Sequence, residues 1–370
     1  MPETVTFTMY YVHFLDENRR LDTWIHPSKF VQRLMKPAML APVATRSRTE
    51  IDKEFNHVEE NYEDMNSRIA VFEKHYAEAT KVKTLEVVRW GNLEMDAWYY
   101  SPYCPKMCKN GILFHCEYCL VYTPDVEEYV HHAHHVCQRR EPPGDEIYRC
   151  GNLSVYEVCG ARNKSYCQCL CLLAKLFLDH KTLTYEIDMF LFYILCTVDE
   201  EGAHIVGFFS KERESSNNLA CIVVFPPYQR QGYGSLLIQF SYELSRREGV
   251  IAGPEYPLSD LGKTSYRKYW ITIVAHLIQE NGFEAMGIHE LSQASGFRTM
   301  DILGAVRAAT LKDPHLIQLT KETADQEYVH IARNCYIGRP PRLILRPDRV
   351  LWQPKATAHR AGRVPVRSQF

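Results

Sequence analysis

Apolar and polar positions divide the chain into stretches of different character. Residues 1–36 contain two short apolar segments on either side of the polar turn 16–20, which predict two strands, too few for a stable domain alone. Residues 37–80 are polar and charged, a composition typical of a linker. Residues 81–352 alternate apolar runs with turn residues and predict a compact domain, and residues 353–370 form a basic tail.

Within the compact domain the pattern predicts strands and helices in succession. Residues 181–198 and 203–212 are apolar runs joined by a polar turn and predict consecutive strands, and 218–225 predicts the next strand. In residues 235–248 the apolar positions recur at helical spacing. Residues 287–311 predict a helix, a glycine turn and a second helix.

Composition is that of an ordinary soluble globular protein: 46% of residues are apolar, 24% are charged, and the net charge is −2. Such a charge gives no overall attraction to nucleic acid or to a membrane. The longest apolar run, 189–196, is far shorter than the roughly 20 residues that a membrane span needs. The N-terminus shows no secretory signal, and the odd number of cysteines, 13, then favours a reducing compartment over a disulfide framework.

Charge is unevenly distributed along the chain. Residues 339–370 carry eight Lys and Arg side chains against one acid, Asp348. A solvated, disordered extension is one interpretation of this tail, and contact with a nucleic-acid backbone is the other.

A strand, a glycine turn and a helix follow one another around residues 229–234. The apolar run that begins at Cys221 ends at Pro226 and Pro227, and QRQGYG then leads into the helical pattern. Glycines allow close approach of the backbone, the first N–H groups of a helix attract an anion, and Arg230 and two glutamines add donors. Neither GxGxxG nor GxxxxGK(S/T) is present. A phosphate cradle and an ordinary glycine turn are the two interpretations.

One group of cysteines and histidines has the spacing of a tetrahedral zinc site. Cys116 and Cys119 form a C-x2-C knuckle, His132 follows after twelve residues, and Cys137 closes the set. Four histidines crowd the third position, so His134 is a second candidate there. With all four positions filled by protein, the zinc would be structural, because no position is left for a catalytic water.

The remaining cysteines allow other interpretations. Cys104 and Cys108 precede the knuckle and would complete a four-cysteine site with Cys116 and Cys119, and unliganded thiols are a further alternative. The CQCLC sequence at 167–171 precedes an apolar run, which makes these cysteines core residues rather than ligands.

The turn also has the Q/R-x-x-G-x-G form that resembles the pyrophosphate loop of acetyl-coenzyme A-dependent N-acetyltransferases. Acetylation of a lysine needs a neutral amine, and removing its proton at neutral pH costs about 4–5 kcal/mol. A carboxylate is therefore expected as general base. Glu255, between Pro254 and Pro257, is the candidate, and a surface glutamate is the alternative. Cys221 either accepts acetyl covalently as a thiolate or merely packs as a buried thiol.

Longer runs of sequence resemble the MYST histone acetyltransferases. They are CQCLCLLAKLFLDHKTLTYEIDMFLFYIL, AHIVGFFSKERES, ACIVVFPPYQRQGYGSLLIQFSYELS and GPEYPLSDLGKTSYRKYW, within a match that covers about residues 81–352. The N-terminal YYVHFLDENRRLDTWI resembles the end of a chromo-barrel. The resemblance implies an α+β fold with an N-acetyltransferase-like (GNAT-type) mixed sheet core over about 165–262. A zinc finger at about 104–140, a helix-turn-helix-like region at about 263–338 and a truncated chromo-barrel-like segment would flank that core.

The resemblance also implies roles for individual residues. It makes Glu255 the general base, Cys221 the active-site thiol and Lys181 a self-acetylated lysine that faces the site. Acetyl-coenzyme A is the implied acyl donor, and zinc is the implied structural metal. The implied zinc ligands are Cys116, Cys119, His132 and Cys137. The residues implied to contact the donor are Ile222, Val223, Val224, Arg230, Gln231, Gly232, Tyr233, Gly234, Ser235 and Ser259.

Several positions depart from the usual pattern of the family. The strand reads CIVVFP instead of CILTLP, so Val223, Val224 and Phe225 are altered and a hydroxyl is lost beside the donor. Tyr256 stands where relatives usually have lysine, and Leu351 stands where they often place a cofactor-binding lysine. These changes indicate a diverged member with altered rate or substrate, but they leave the base, the thiol and the loop in place.

The implied function is that of a nuclear lysine acetyltransferase acting on histone tails, above all histone four. Its implied partners are the nucleosome and regulatory subunits of a chromatin complex, with no membrane. One rival interpretation is a chromatin-binding scaffold that has lost catalysis, which the altered strand and Leu351 would suit. Another is a zinc-finger and helix-turn-helix DNA binder, but the second helix offers only Arg298 and Arg307 as cations.

Overall fold

The computed structural model describes residues 10–12, 23–25, 83–178, 187–323, 326–333 and 341–354. The chain forms two units, Met1–Lys83 and Thr84–Phe370. In the first unit, strands β1 (Tyr10–Val12) and β2 (Thr23–Ile25) pair antiparallel, as expected from the two apolar segments. The predicted linker, Lys181 and all of the basic tail after its first two residues lie outside the described residues.

The second unit begins with a four-stranded sheet that leads into the cysteine knuckle. Its order is β4-β3-β5-β6, with β3 and β5 parallel and the other pairs antiparallel. A short helix follows, and the carboxylate of Asp125 caps it by accepting the N–H groups of Glu127 and Glu128. A π-helical turn, His132–Val136, continues the helix up to Cys137. The bounds are β3 (Val87–Trp90), β4 (Leu93–Asp96), a 3-10 turn (Pro105–Cys108), β5 (Ile112–His115), β6 (Tyr122–Thr123) and α1 (Val126–His131).

A five-stranded antiparallel sheet forms the centre of this unit. Its order is β12-β10-β9-β8-β7, so β12 is an edge strand. Two short strands, β11 and β13, pair in parallel beside it. The bounds are β7 (Asp145–Cys150), β8 (Leu153–Cys159), α2 (Lys164–Lys175), β9 (Phe190–Val198), β10 (Ala203–Glu212), β11 (Asn217–Leu219), β12 (Cys221–Val224), a 3-10 turn (Pro226–Tyr228), α3 (Tyr233–Glu248) and β13 (Gly253–Pro254).

Helices cover both faces of the central sheet. Alternate side chains of a strand point to opposite faces, and β9 is apolar at each position from Phe190 to Cys196. Phe192 and Ile194 pack in the cluster that contains the buried face of α2, whereas Tyr193 and Leu195 pack with the apolar stripe of α3. The central sheet therefore lies between two packed layers, with β12 at its edge.

The C-terminal region is built on a long helix that packs against the two helices after it. A three-stranded antiparallel sheet, order β14-β16-β15, completes the region. The predicted helix, glycine turn and helix are confirmed, and Gly296 ends the first of them with a φ of 76°. The bounds are α4 (Asp260–Glu280), β14 (Met286–Gly287), α5 (Ile288–Ser295), α6 (Thr299–Lys312), β15 (Ile317–Thr323), β16 (Gln326–Ile331) and a 3-10 turn (Pro347–Arg349).

One predicted strand is wrong in detail. The run expected as one strand over 218–225 is two strands, because β11 pairs with β13 while β12 pairs with β10. Ala220 separates them, and its N–H donates to the carbonyl of Ser210 at 2.7 Å. Cys167 and Cys171 are buried in α2, in agreement with their interpretation as core residues. Among the described residues, no helix is both long enough and apolar enough to span a bilayer.

Candidate active site and zinc site

The glycine turn adopts a backbone conformation that few residue types tolerate. Gly232 has a φ of 104° and precedes the first turn of α3, and Arg230 has a φ of 60°. Because a helix cannot satisfy the N–H groups of its own first turn, those of Tyr233, Gly234 and Ser235 are donors at the positive end of the helix dipole. The turn thus has the form of an anion cradle made of main-chain groups.

The glutamine side chains of the turn hydrogen-bond main-chain carbonyls near it. The amide of Gln229 donates to the carbonyl of Val224, the last residue of β12, at 2.9 Å, and the amide of Gln231 donates to the carbonyl of Pro227 at 3.0 Å. Both side chains therefore help to hold the loop in shape. Each amide has a second N–H, so donation from these side chains to a ligand stays a prediction.

A distant segment that the sequence did not single out supports the same turn. The guanidinium of Arg342 donates to the carbonyl of Arg230 at 2.9 Å, and a Cβ at Gly232 would lie 3.1 Å from the Cβ of Arg342. Gln239 of α3 donates to Leu343 at 3.0 Å. No local sequence signal could reveal these contacts, since more than a hundred residues separate the partners.

The three predicted donor-contacting residues of β12 lie at the edge of the central sheet. Ile222, Val223 and Val224 pair with β10, and no second strand pairs with them among the described residues. A strand edge offers main-chain groups to a ligand. The side chain of Val224 also approaches Gly234, because a Cβ added to Gly234 would lie 3.8 Å from Cγ2 of Val224. Ser259 caps α4, and its hydroxyl accepts the N–H of Gly262 at 3.1 Å.

Cys221 is the first residue of β12, and only 9% of it is exposed. It pairs with Ser210 of β10 and lines a cavity of about 20 Å³, roughly the space of one water molecule. Burial, and then the proximity of Cys221, raises the pKa of the neighbouring Cys171. The residues that line the cavity are Cys171, Ala174, Lys175, Leu178, Phe192, Phe208, Ser210 and Cys221.

Glu255 follows β13 directly and lies next to the strand that leads to Cys221. Its N–H donates to the carbonyl of Leu219 at 2.8 Å, and Leu219 stands two residues before Cys221. Its side chain is half-buried. The backbone of Glu255 thus bonds the segment that leads into Cys221 at the start of β12, and the glycine turn follows the end of the same strand.

The zinc ligand atoms of Cys116, Cys119, His132 and Cys137 all lie within 4.8 Å of one another. The sulfurs of Cys116 and Cys137 are 3.6 Å apart, close to the spacing of about 3.8 Å that tetrahedral Zn–S bonds of 2.3 Å impose. Nε2 of His132 lies 3.1 Å from the sulfur of Cys119. The geometry therefore selects His132 over His134. Contact with Cys119 lowers the pKa of Cys116 to about 4, which favours a thiolate ligand.

A histidine of the central sheet ties the knuckle to that sheet. Nδ1 of His204 lies 2.7 Å from the carboxylate of Glu117, inside the knuckle, and its Nε2 lies 2.9 Å from Asp199. Burial disfavours its charged form, but the hydrogen bonds to both acids outweigh burial and raise the pKa of His204 above 6.5. The guanidinium carbon of Arg140 also lies 5.2 Å from the centroid of the Tyr118 ring, a cation–π contact.

Comparison with known sequences identifies the family. The profile of the MOZ/SAS family matches residues 141–336, and that of the MYST family zinc finger domain matches 82–137. The chain belongs to the MOZ/SAS family. A third profile, described as the RNA binding activity-knot of a chromodomain, matches residues 3–30.

Relatives in animals, plants and fungi are similar over most of this chain. "Histone acetyltransferase MOF" of Drosophila melanogaster is 45% identical over 312 residues, which cover 82% of this chain but only 37% of that protein. "Histone acetyltransferase of the MYST family 1" of Arabidopsis thaliana is 44% identical over 84% of this chain and 70% of its own length. "Histone acetyltransferase ESA1" of Eremothecium gossypii is 36% identical over 93% of this chain and 86% of its own length.

These matches confirm the family and the fold class that the sequence resemblance implied. The MYST zinc finger profile ends at residue 137, the last of the four ligands that the structure brings together. A closed set of three cysteines and one histidine suits a structural zinc ion.

Proposed function

We propose that this chain transfers the acetyl group of acetyl-coenzyme A to lysine side chains of histone tails in the nucleus. Membership of the MOZ/SAS family and the names of the relatives indicate an acyltransferase of the histone acetyltransferase class. Histone four is the substrate that we propose first. The match covers only 37% of the Drosophila relative, so the substrate and the partner subunits of this chain are proposals and are not taken over from that protein.

One observation carries the proposal: the anion cradle of α3 follows the C-terminal end of the edge strand β12, and the backbone of the half-buried Glu255 bonds Leu219, just before its N-terminal end. The main-chain donors of Gly232 to Ser235 would hold the pyrophosphate of acetyl-coenzyme A. The donor would then run along the edge of β12, with its thioester near Cys221. The substrate lysine would approach from the side of Glu255.

In this arrangement Glu255 acts as general base. A lysine ammonium must lose a proton before it can attack, at a cost of about 4–5 kcal/mol at neutral pH. Glu255 takes that proton, directly or through water, and the neutral amine forms a bond to the thioester carbonyl carbon. The C–S bond breaks and coenzyme A leaves as the thiolate. The Glu255 proton then returns to solvent.

Direct transfer is preferred over an acetyl-Cys221 intermediate. Cys221 is 9% exposed and lines a cavity with room for about one water, and apolar side chains make up much of the lining. Covalent catalysis would in addition require a Cys221 thiolate that reaches the thioester from this narrow cavity. The Cys221→Ala variant separates the routes, since only the covalent route predicts near-total loss of acetylation.

The base role is tested by the Glu255→Gln variant, with Glu284→Gln as matched control on an exposed loop. Acetylation of a histone peptide should fall by roughly 10²–10⁴-fold for Glu255→Gln and stay unchanged for the control. Affinity for acetyl-coenzyme A, measured by isothermal titration, should stay within about twofold for both variants. A Glu255→Gln variant that keeps more than about a tenth of the wild-type rate would contradict the proposal.

The two rival functions lose support. The changes at Val224 and Leu351 leave the loop and Glu255 in place, so a scaffold without catalysis is not favoured. For the DNA-binding interpretation, Arg298 is engaged with the carbonyl of Pro254. Arg307 is exposed, but it pairs with Glu327 at 3.2 Å, and two cations are few for a helix that enters the major groove.

The chromatin setting follows from the substrate. We propose that regulatory subunits set nucleosome specificity, that the basic tail contacts nucleic acid and that Lys181 is acetylated. Mass spectrometry of histone tails after reaction with intact nucleosomes would identify the target lysine. Acetylation spread evenly over all four core histones would contradict a preference for histone four.

A further inference from the structure

The peptide bond before Glu255 is held at both of its polar ends. Its carbonyl, that of Pro254, accepts Nη1 of Arg298 at 3.3 Å. Its N–H, that of Glu255, donates to the carbonyl of Leu219 at 2.8 Å. A peptide unit is planar, so two hydrogen bonds in opposite directions fix the orientation of the plane. The Cα of Glu255 lies in that plane, so its position is restrained as well.

Arg298, the residue before α6, also hydrogen-bonds the neighbouring strand β11 and the residue before it. Its Nη2 donates to the side-chain oxygen of Asn217 at 2.7 Å and to the carbonyl of Ser216 at 2.9 Å. Asn217 is the register partner of Gly253. A single planar guanidinium therefore joins β11 to the Pro254 carbonyl, a task that needs its fork of donors.

The residue after Glu255 is held by the same end of α6. The hydroxyl of Tyr256 donates to Oδ1 of Asp301 at 2.7 Å, and Asp301 is completely buried. Its Oδ2 has no hydrogen-bond partner among the described residues and faces Gly253, where a Cβ would lie 2.3 Å away. Burial raises the pKa of Asp301, while the Tyr256 hydroxyl and the charge of Arg298 act in the opposite direction.

We infer that Arg298 is a positioning residue for Glu255 and that Asp301, through Tyr256, is a second one. The inference rests on the proposed function, because it assumes that Glu255 is the base. Neither residue is placed against substrate or donor. They act by holding the peptide before Glu255 and the side chain of the residue after it, so that the Glu255 carboxylate meets the substrate amine in a productive orientation. A small displacement of a reacting group is enough to slow such a step strongly.

The test is a double-mutant cycle between Arg298→Lys and Glu255→Gln in the full chain. Lysine keeps the charge but cannot reach Pro254 and Asn217 together. In the wild-type background kcat on a histone peptide should fall roughly 10–100-fold, with KM for acetyl-coenzyme A within about twofold. In the Glu255→Gln background the same change should lower kcat by less than about twofold, because there is no base left to position.

Arg307→Lys is the matched control, since it makes the same change on α6 at an exposed pair with Glu327. Its kcat should equal that of the wild type. Tyr256→Phe is the second test should Arg298→Lys fail to fold, because it removes one hydroxyl from a ring that is 46% exposed. It should lower kcat roughly 3–10-fold, the loss that one hydrogen bond accounts for, and again only when Glu255 is present.

The outcomes separate this inference from the function on which it rests. Wild-type kcat in Glu255→Gln would overturn the proposed function itself. A large loss in Glu255→Gln, together with an Arg298→Lys effect that is absent or equal in both backgrounds, would overturn only the positioning role. An equal effect would mean that Arg298 supports the fold and not the base.

Discussion

The zinc site takes its four ligand atoms from one short segment, 116–137, whereas the proposed acetyltransferase site takes its groups from distant parts of the chain. The backbone around Glu255 is hydrogen-bonded to β11 and to Arg298, the residue before α6. The glycine turn accepts a hydrogen bond from Arg342. In the first region the metal itself draws the ligands together. In the second, hydrogen bonds of the folded protein must hold each group before any ligand arrives.

The two regions should therefore lose their structure through different kinds of substitution. Loss of a zinc ligand removes the bond energy that orders the knuckle. The acetyltransferase site has no such central atom, so it should be sensitive to backbone changes at glycines such as Gly253 and Gly232, where neighbouring groups come too close for a side chain.

Removing one zinc ligand should have the largest effect. The Cys137→Ala variant should lose the bound metal, which we expect at about one equivalent per wild-type chain, and its knuckle should become open to proteases. Cys104→Ala is the control, because Cys104 is an exposed cysteine of the same region outside the ligand set. Metal analysis decides the matter, and equal zinc content in the two variants would refute the assigned ligands.

The Gly253→Ala variant should destabilise the second unit by about 1–3 kcal/mol, because its methyl group would lie 2.3 Å from the buried carboxylate of Asp301. Gly304→Ala changes a glycine of α6 that has no neighbour within 4 Å, and it should stabilise the protein by about 0.5–1 kcal/mol. Urea denaturation measures both. Equal stability of the two variants would mean that the Gly253–Asp301 contact is loose.

The Gly232→Ala variant should weaken acetyl-coenzyme A binding roughly tenfold, since a side chain is strained at a φ of 104° and the turn would shift. Gly282→Ala introduces comparable strain at a φ of 71°, but at the end of α4. Isothermal titration should show altered affinity for the first variant only. A similar loss of affinity in both would point to general destabilisation instead of a donor cradle.

The smallest effect should come from His204. The pKa of His204 is raised in the folded protein, so its contribution to stability is complete below the unfolded pKa of about 6.5 and is lost as pH rises through the folded pKa. Relative to His204→Gln, the wild type should lose about 1–3 °C in Tm between about pH 6 and pH 9. A Tm difference that does not change with pH would show that the histidine stays neutral.

The contrast also explains how much could be predicted from the sequence. The ligand spacing of the zinc site, the helical period of α3 and the glycine that ends α5 are local signals, and the structure agrees with each. The division of 218–225 into β11 and β12 could not be predicted, because it depends on the partner strand β13. The sequence suggests only a DNA contact for Arg298, because the residues that it bonds lie more than 40 positions away in the chain.

The roles of Gln229 and Gln231 show the same limit within a single loop. Their positions in a phosphate-binding pattern predict donors for a ligand, and the structure adds a bond from each amide to a main-chain carbonyl, that of Val224 or Pro227. Sequence specifies which groups are present, and only the folded backbone determines where each of them donates.

The central claim is that Glu255 removes the proton from the substrate lysine beside a donor held by the first turn of α3. A single-turnover measurement tests it most directly: enzyme saturated with acetyl-coenzyme A is mixed with histone peptide, and acetyl transfer is followed for wild type and Glu255→Gln. The account predicts a rate roughly 10²–10⁴-fold lower in the variant with donor affinity unchanged. Transfer within about tenfold of the wild-type rate would contradict it.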